Sequence, residues 1–289
     1  MSARKKSEST PLGPAGTFSD ALERAGARPV DHDKTTAKKN YSERLSNTIA
    51  VVVADHLRKD FPEILPKPDG SGRETRVAAG AHKKFKKTDV RFSSHDAGLE
   101  LLVSIKTLSF RNTSKKKDGT LVIGRYTKNM VRNDHELRAE AMEVHERFPY
   151  VVLIGMFFLP FDACDDGKDP NISSFAHSIL TLRQRAGRML PTDPLQLFER
   201  LFVGLYEHSG PQRGEVRFFD VASPPPRRGR PKPTSLLTLD QVAAEVVKAF
   251  GIRNRRYIEW ADEPSTAEVS LVSAPEEEGT DVEDDESDA

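Results

Sequence analysis

The sequence predicts an α/β fold, and three observations carry the prediction. Segments of strand character alternate with segments of helical period. One long apolar run, YVVLIGMFFLP at 150–160, follows a helical segment and fits a buried central strand. Both chain ends differ in composition from the middle. A mixed central sheet flanked by helices satisfies all three, with a disordered N-terminal arm and a disordered acidic C-terminal tail.

The elements follow in order. Residues 1–38 are rich in Ser, Pro, Gly, Ala and Lys and lack a sustained apolar period, so disorder is expected there, with one short helix as a candidate at 18–25. A helix over 41–59 puts Leu45, Ile49, Val52, Val53 and Leu57 at helical spacing, with Ser42 as its N-cap. A turn-rich linker (Pro62, Pro66, Pro68, Gly70, Gly72) leads to strands at about 76–79, 89–92, 99–108 and 120–124. A helix over 128–147 carries the stripe Met130, Leu137, Ala141 and Val144, and the apolar strand 150–159 comes next. A helix pair is expected between 173 and 200, then strands at 202–206 and 216–221. The segment SPPPRRGRPKPTS at 223–235 breaks regular structure, and a last helix over 239–250 places Val242, Val246 and Phe250 on one face. Four regions result: an arm at 1–38, an α/β domain at 39–222, a connector with a helix at 223–262, and a tail at 263–289.

The formal net charge of zero conceals a division. The chain from Asp262 onward holds twelve acidic residues and no Lys or Arg, leaving 44 basic against 32 acidic residues elsewhere, a net of +12. A basic body with an acidic tail points to a polyanionic partner. A mean hydropathy of −0.55, with no apolar run long enough to span a bilayer, excludes a membrane helix. The N-terminus MSARKKSEST shows no apolar run behind its basic residues, so no secretion signal is expected. Cys164 is the only cysteine, which excludes an internal disulfide and a Cys-based zinc cluster; the default setting is cytoplasmic.

The stretch KKTDVRFSSHDAGLELLVSIKTL, residues 86–108, reads as a hairpin with Asp89 at the head of one strand and Lys106 near the end of the other. Strand alternation places Lys106, Ser104, Leu102 and Glu100 on one face. A divalent-metal nuclease needs a carboxylate for Mg²⁺, a second oxygen ligand beside it, and a cation to orient the attacking water. Glu100 shares that face, but six residues of strand put it roughly 20 Å from Lys106. His82, His95, His135 and His145 form no HExxH or His-x-His pair, which argues against zinc; His135, beside Glu136, is read as solvated. Asp162, Asp165 and Asp166 around Cys164 are read as a solvated loop.

The order of helix, strand with Asp89, strand ending in Ser104-Ile105-Lys106, helix 128–147 and apolar strand resembles the core of the PD-(D/E)xK nucleases, which include type II restriction endonucleases and many repair and defence nucleases. The resemblance spans roughly residues 41–222. It implies a restriction-endonuclease-like core, Mg²⁺ as cofactor, and Asp89 and Lys106 as catalytic residues. Two positions depart from the pattern: Thr88 stands where Pro is usual, and Ser104 replaces the acid of the triplet. A subgroup of restriction enzymes carries such an SxK triplet and draws its second carboxylate from the following helix. Here that helix offers Glu140, between Leu137 and Val144, or Glu136 one turn earlier. The family's auxiliary acid on the first helix corresponds to Glu43.

Several basic residues fit a DNA partner. Lys83, Lys84, Lys86 and Lys87 precede Asp89, and Lys115, Lys116 and Lys117 follow Lys106, so both clusters flank one hairpin. The stretch PRRGRPKP at 226–233 resembles an AT-hook, whose extended Arg-Gly-Arg-Pro core enters the A·T minor groove; Arg228 and Arg230 match its arginines. The same stretch can equally be a rigid Pro-rich connector.

The expected function is a Mg²⁺-dependent endonuclease acting on double-stranded DNA in restriction or phage defence. A homodimer would cut both strands of a palindrome, and a separately encoded methyltransferase would protect the host. The alternative is a non-catalytic DNA-binding protein on a degenerate nuclease fold, binding through the AT-hook-like segment. An RNA-directed nuclease is a third, weaker reading, because the basic runs lack interleaved aromatics.

Overall fold

The computed structural model describes residues 16–73, 76–78, 85–168 and 170–262. Helix α1 (Phe18–Ala25) begins at a capping box. Asp20 N–H donates to the Thr17 hydroxyl at 3.4 Å, while the Asp20 carboxylate accepts from Thr17 N–H at 2.5 Å. Gly26 ends the helix at φ 81°, where a Cβ is disfavoured. Phe18, Ala21, Leu22 and Ala25 form a buried stripe, and the Phe18 ring sits 5.8 Å from Phe158 and 5.4 Å from Tyr206. Helix α1 is the short helix expected at 18–25, while the disorder expected for the rest of 1–38 is corrected from residue 16 onward. Burying a Phe side chain contributes roughly 1.5–3 kcal/mol, so eight residues with the right stripe dock although they could not stand alone. Residues 1–15, and the tail from 263, lie outside the described residues.

Helix α2 (Thr35–Leu57) starts before the expected 41, so Ser42 lies within it and does not cap it; the N-cap is Lys34. Two short strands, β1 (Arg76–Ala78) and β2 (Phe85–Lys87), pair with each other. Next come β3 (Val90–Ser94) and β4 (Gly98–Thr107), an antiparallel hairpin whose turn residue Gly98 has φ 74° and whose register shifts at Phe92/Ser93. A small ribbon, β5 (Thr113–Lys115) with β6 (Leu121–Ile123), then precedes α3 (Met130–Arg147). Strands β2 and β5 add to the expected set; at three residues each they are too short to show an alternation. Strand β7 (Val152–Pro160) is buried throughout and runs parallel to β4, with Ser104 opposite Gly155 and Lys106 opposite Phe157. A parallel pair needs a crossover, and α3 supplies it.

In place of the helix pair expected between 173 and 200 there is α4 (Ser174–Leu182), a single 3₁₀ turn at Arg183–Arg185, and irregular chain. Gly187, Pro191 and Pro194 interrupt the helical pattern there. Strands β8 (Arg200–Tyr206) and β9 (Val216–Asp220) complete the sheet in the order β3-β4-β7-β8-β9, the outer two antiparallel to their neighbours. Helix α5 (Leu239–Asp262) passes the expected end at Phe250, because Gly251 inside a helix costs only about 1 kcal/mol.

The sheet is covered on both faces. Leu101, Val103 and Ile105 of β4 pack with α1, α2 and the first turns of α5, including Val242 and Val246. Leu102 faces the other way, into Leu137, Ala141 and Val144 of α3 and Phe175, Ile179 and Leu182 of α4. The chain as far as Asn254 is one compact unit, so the expected boundary at 222 does not separate α5 from the α/β body. Among the described residues no helix is long and apolar enough to cross a membrane.

Candidate active site

Alternation along β4 sends Ser104 and Lys106 toward α3, while Ile105 between them points into the opposite core. Asp89 stands just before β3, and its Oδ2 accepts the Ile105 N–H at 2.7 Å. Across the crossover, Glu140 is 5% exposed; its Oε2 accepts the Ser104 hydroxyl at 2.9 Å and lies 3.4 Å from Lys106 Nζ. Thus two carboxylates from different elements meet three successive residues of one strand.

The serine is itself 1% exposed. A carboxylate in its place would stand against Glu140 with little water to screen the repulsion. A hydroxyl instead donates to Glu140 and holds its carboxylate over the strand.

Electrostatics tie the group together. Burial works to lower the pKa of Lys106, but Glu140, then Asp89 and Glu136, outweigh it and hold the ammonium above the ordinary lysine range. A folded pKa raised above the unfolded one stabilises the fold below the unfolded value of about 10.4, and that contribution is lost as pH rises through the folded pKa. Glu140→Gln removes the strongest opposing charge and leaves burial in place. The Lys106 pKa is therefore expected to fall in that variant, as read by NMR titration of its side-chain Cε resonance; an unchanged titration would show that the pair is not formed in solution.

The other expected residues are placed differently. Glu136 is partly exposed and pairs with Arg132 at 2.7 Å, reaching Lys106 only through its field. Glu43 is exposed on α2, directly after Ser42, whose carbonyl accepts from the Thr107 hydroxyl at 3.5 Å beside Lys106. Glu100 is partly exposed and His135 exposed. Lys87 is exposed, Lys86 lies in β2, and Lys83 and Lys84 fall outside the described residues. Lys115, Lys116 and Lys117 are exposed at the end of the β5–β6 ribbon.

The AT-hook-like stretch is held against the body. Ser173 N–H donates to the Arg227 carbonyl at 2.8 Å and Gly229 N–H to the Cys164 carbonyl at 2.9 Å. Arg230 stacks 4.6 Å from the centre of the Phe161 ring and pairs with Glu207 at 2.6 Å, while Arg228 is exposed. This geometry is that of a packed connector.

The acidic loop after β7 is corrected. The Asp166 side chain is not solvated: it is only 4% exposed and accepts from the Ser174 N–H and hydroxyl and the Tyr126 N–H at 2.5–3.1 Å, clamping α4 to the chain entering α3. Asp162 accepts from His208 at 3.2 Å and meets Arg111 at 3.4 Å; the His208 hydrogen bond, then the charges of His208 and Arg111, hold its carboxyl below the usual range despite partial burial. Cys164 is buried, which pushes its thiol pKa up and makes it inert.

One contributor gave no signal in the sequence. Asp134 on α3 is buried and takes two bonds from Arg185, at 2.7 and 2.8 Å, fixing the helix that presents Glu140. Its partner is 51 residues away, beyond the reach of any local pattern.

Among the described residues no group of three or more His, Cys, Asp or Glu side chains could hold a metal. The donors present, two carboxylates with strand backbone around them, suit Mg²⁺, which is held by one or two carboxylates plus waters and substrate phosphate oxygens. The chain matches no family model, and neither a curated protein nor a solved structure is significantly similar to it.

Proposed function

We propose that the protein is a Mg²⁺-dependent endonuclease hydrolysing phosphodiester bonds of duplex DNA, built on a restriction-endonuclease-like core and acting in cytoplasmic restriction or phage defence. The observation that carries this reading is the meeting of Glu140 with Ser104 and Lys106, on the strand whose Ile105 N–H is held by Asp89. A buried acid beside a charged lysine, drawn from two elements, is a costly arrangement for a purely structural role. The +12 charge of the chain before the acidic tail supports a polyanionic substrate.

Hydrolysis forms a bond from a water oxygen to phosphorus, that water giving up a proton to solvent, and breaks the bond to the leaving oxygen, which departs with the electron pair and takes a proton from solvent. Mg²⁺, when bound, would supply Lewis-acid stabilisation of the phosphate and favour ionisation of water. Asp89 and Glu140 are the residues that would hold it. Ser104 fixes the Glu140 carboxylate by its hydroxyl proton. Lys106, charged at neutral pH, orients the attacking oxygen and offsets the negative charge that grows on the phosphoryl group.

Supercoiled plasmid incubated with the purified protein should be nicked or linearised in Mg²⁺ and left intact in EDTA. Binding without cleavage of any plasmid or phage DNA tested would instead favour a non-catalytic DNA-binding protein, a reading that the missing acid at Ser104 keeps open.

A further inference from the structure

The β5–β6 ribbon leaves the sheet just after the strand bearing Lys106 and returns into the helix bearing Glu140. Its root is pinned. Asn112 N–H donates to the Arg125 carbonyl at 2.9 Å, Arg111 N–H to Asp31 at 3.1 Å, Tyr126 N–H to Asp166 at 3.1 Å, and Arg125 to the Ile172 carbonyl. Its tip closes through Lys116 N–H to the Thr120 carbonyl at 2.9 Å, with Gly119 at φ 84°.

Beyond the root the ribbon buries little. The register pairs Thr113 with Ile123 and Lys115 with Leu121, so these four side chains share one face. Leu121 is 38% and Ile123 49% exposed, and Lys115, Lys116 and Lys117 are exposed. An isolated two-stranded ribbon is marginal in water, and a face that leaves Leu121 and Ile123 open alongside Lys115, with two more lysines following, suits a partner both apolar and anionic. The lysines select a polyanion. A two-stranded ribbon fits a major groove about 12 Å wide. The stretch 113–123 contains no Phe, Tyr or Trp on which unpaired bases could stack, which disfavours single strands.

We propose that this ribbon enters the major groove of duplex DNA beside the scissile phosphate and determines sequence preference. Lys115, Lys116 and Lys117 neutralise phosphates, and Thr113, Leu121 and Ile123 meet base edges, thymine methyl groups above all. The inference rests on the endonuclease reading, since it names the form of the substrate and the element that reads it.

The test uses the full chain in EDTA, so that binding is read without cutting. Two variants are compared with wild type: Lys115→Ala/Lys116→Ala/Lys117→Ala, and Leu121→Ser/Ile123→Ser. Affinity for a labelled duplex is measured across a salt series, and a randomised duplex library is sequenced before and after capture. The triple variant should lower the slope of log K against log salt by about 0.9 for each phosphate no longer neutralised, up to about three phosphates. The double variant should keep that slope and lose sequence enrichment, on the order of tenfold for the preferred site. An unchanged slope in the triple variant, no enrichment by wild type, or a double variant that shifts sedimentation of the protein without touching enrichment would each overturn it, the last by making the apolar face a contact between copies of the chain. Circular dichroism of both variants checks that the fold is retained. Cleavage in Mg²⁺ separates the two levels: a triple variant binding and cutting like wild type defeats the ribbon alone, whereas a wild type that neither binds nor cuts duplex defeats the endonuclease reading with it.

Discussion

On the endonuclease reading, Lys106→Ala is expected to lower the rate of duplex cleavage by about 10²- to 10³-fold while duplex binding stays nearly unchanged. The reason is geometric. The ammonium lies 3.4 Å from Glu140 and feels Asp89 as well, so in the proposed reaction it would stand where charge develops. Its loss removes an interaction that is strongest in the transition state, and such losses appear in turnover more than in binding. Glu140→Gln should cost at least as much, because it would remove a proposed metal oxygen and the counter-charge of Lys106 together. Combining the two should cost less than the product of the single effects, since both act on one unit. Single-turnover cleavage at saturating protein is the measurement. A Lys106→Ala protein that cuts at the wild-type rate would remove this residue from the chemistry and leave the site a structural ion pair.

Glu199→Ala is expected to destabilise the fold by about 3–5 kcal/mol, the cost of breaking a buried ion pair by removing one partner. Glu199 sits just before β8 and is nearly buried. Its Oε2 accepts the Leu153 N–H at 2.7 Å and lies 3.5 Å from His145 Nε2. Its Oε1 pairs with Arg253 of α5 and stands 3.8 Å from Arg188. The Arg188 and Arg253 side chains are 0% and 3% exposed. Burial already depresses the pKa of Arg188, with Glu199 opposing that and Arg253 adding to it. Without Glu199 two guanidinium groups remain in the interior with no carboxylate between them. Domains have only about 5–15 kcal/mol of total stability, so the urea midpoint should drop sharply with little change in slope. A midpoint within experimental error of wild type would mean that water reaches these arginines. Arg253→Met, which removes one of the stranded charges, should recover part of the loss when combined with Glu199→Ala.

How legible the molecule is depends on the range of the interaction concerned. Strands β4 and β7 and helix α3 are visible because alternation and the 3.6-residue stripe are local signals of a surface that must be buried. Helix α1 carries its capping box and stripe in plain view, but its docking depends on Phe158 and Tyr206, far along the chain. The irregular chain at 186–199 looks helical until Pro191 and Pro194 are given their weight. Asp166 looks solvated because acidic clusters usually are, and its burial follows from Ser174 and Tyr126 donating to it. Arg228 and Arg230 match a DNA-binding motif by spacing, yet Phe161 and Glu207 engage Arg230 within the protein itself.

From the sequence alone came the shared face of Ser104 and Lys106, because alternation within a strand leaves no freedom in which way a side chain points, whereas Asp89, expected to open the neighbouring strand, stands just before it. The resemblance to the PD-(D/E)xK nucleases implied, in addition, a second carboxylate from outside the triplet. Which one reaches the strand was decided by tertiary structure. Glu136 and Glu140 are one turn apart, and only the rotation of α3 about its own axis distinguishes them. That rotation is set by Leu137, Ala141 and Val144 against the sheet and by Arg185 gripping Asp134 from 51 residues away. These contacts turn Glu140 inward to Ser104 and Lys106 and leave Glu136 at the surface with Arg132.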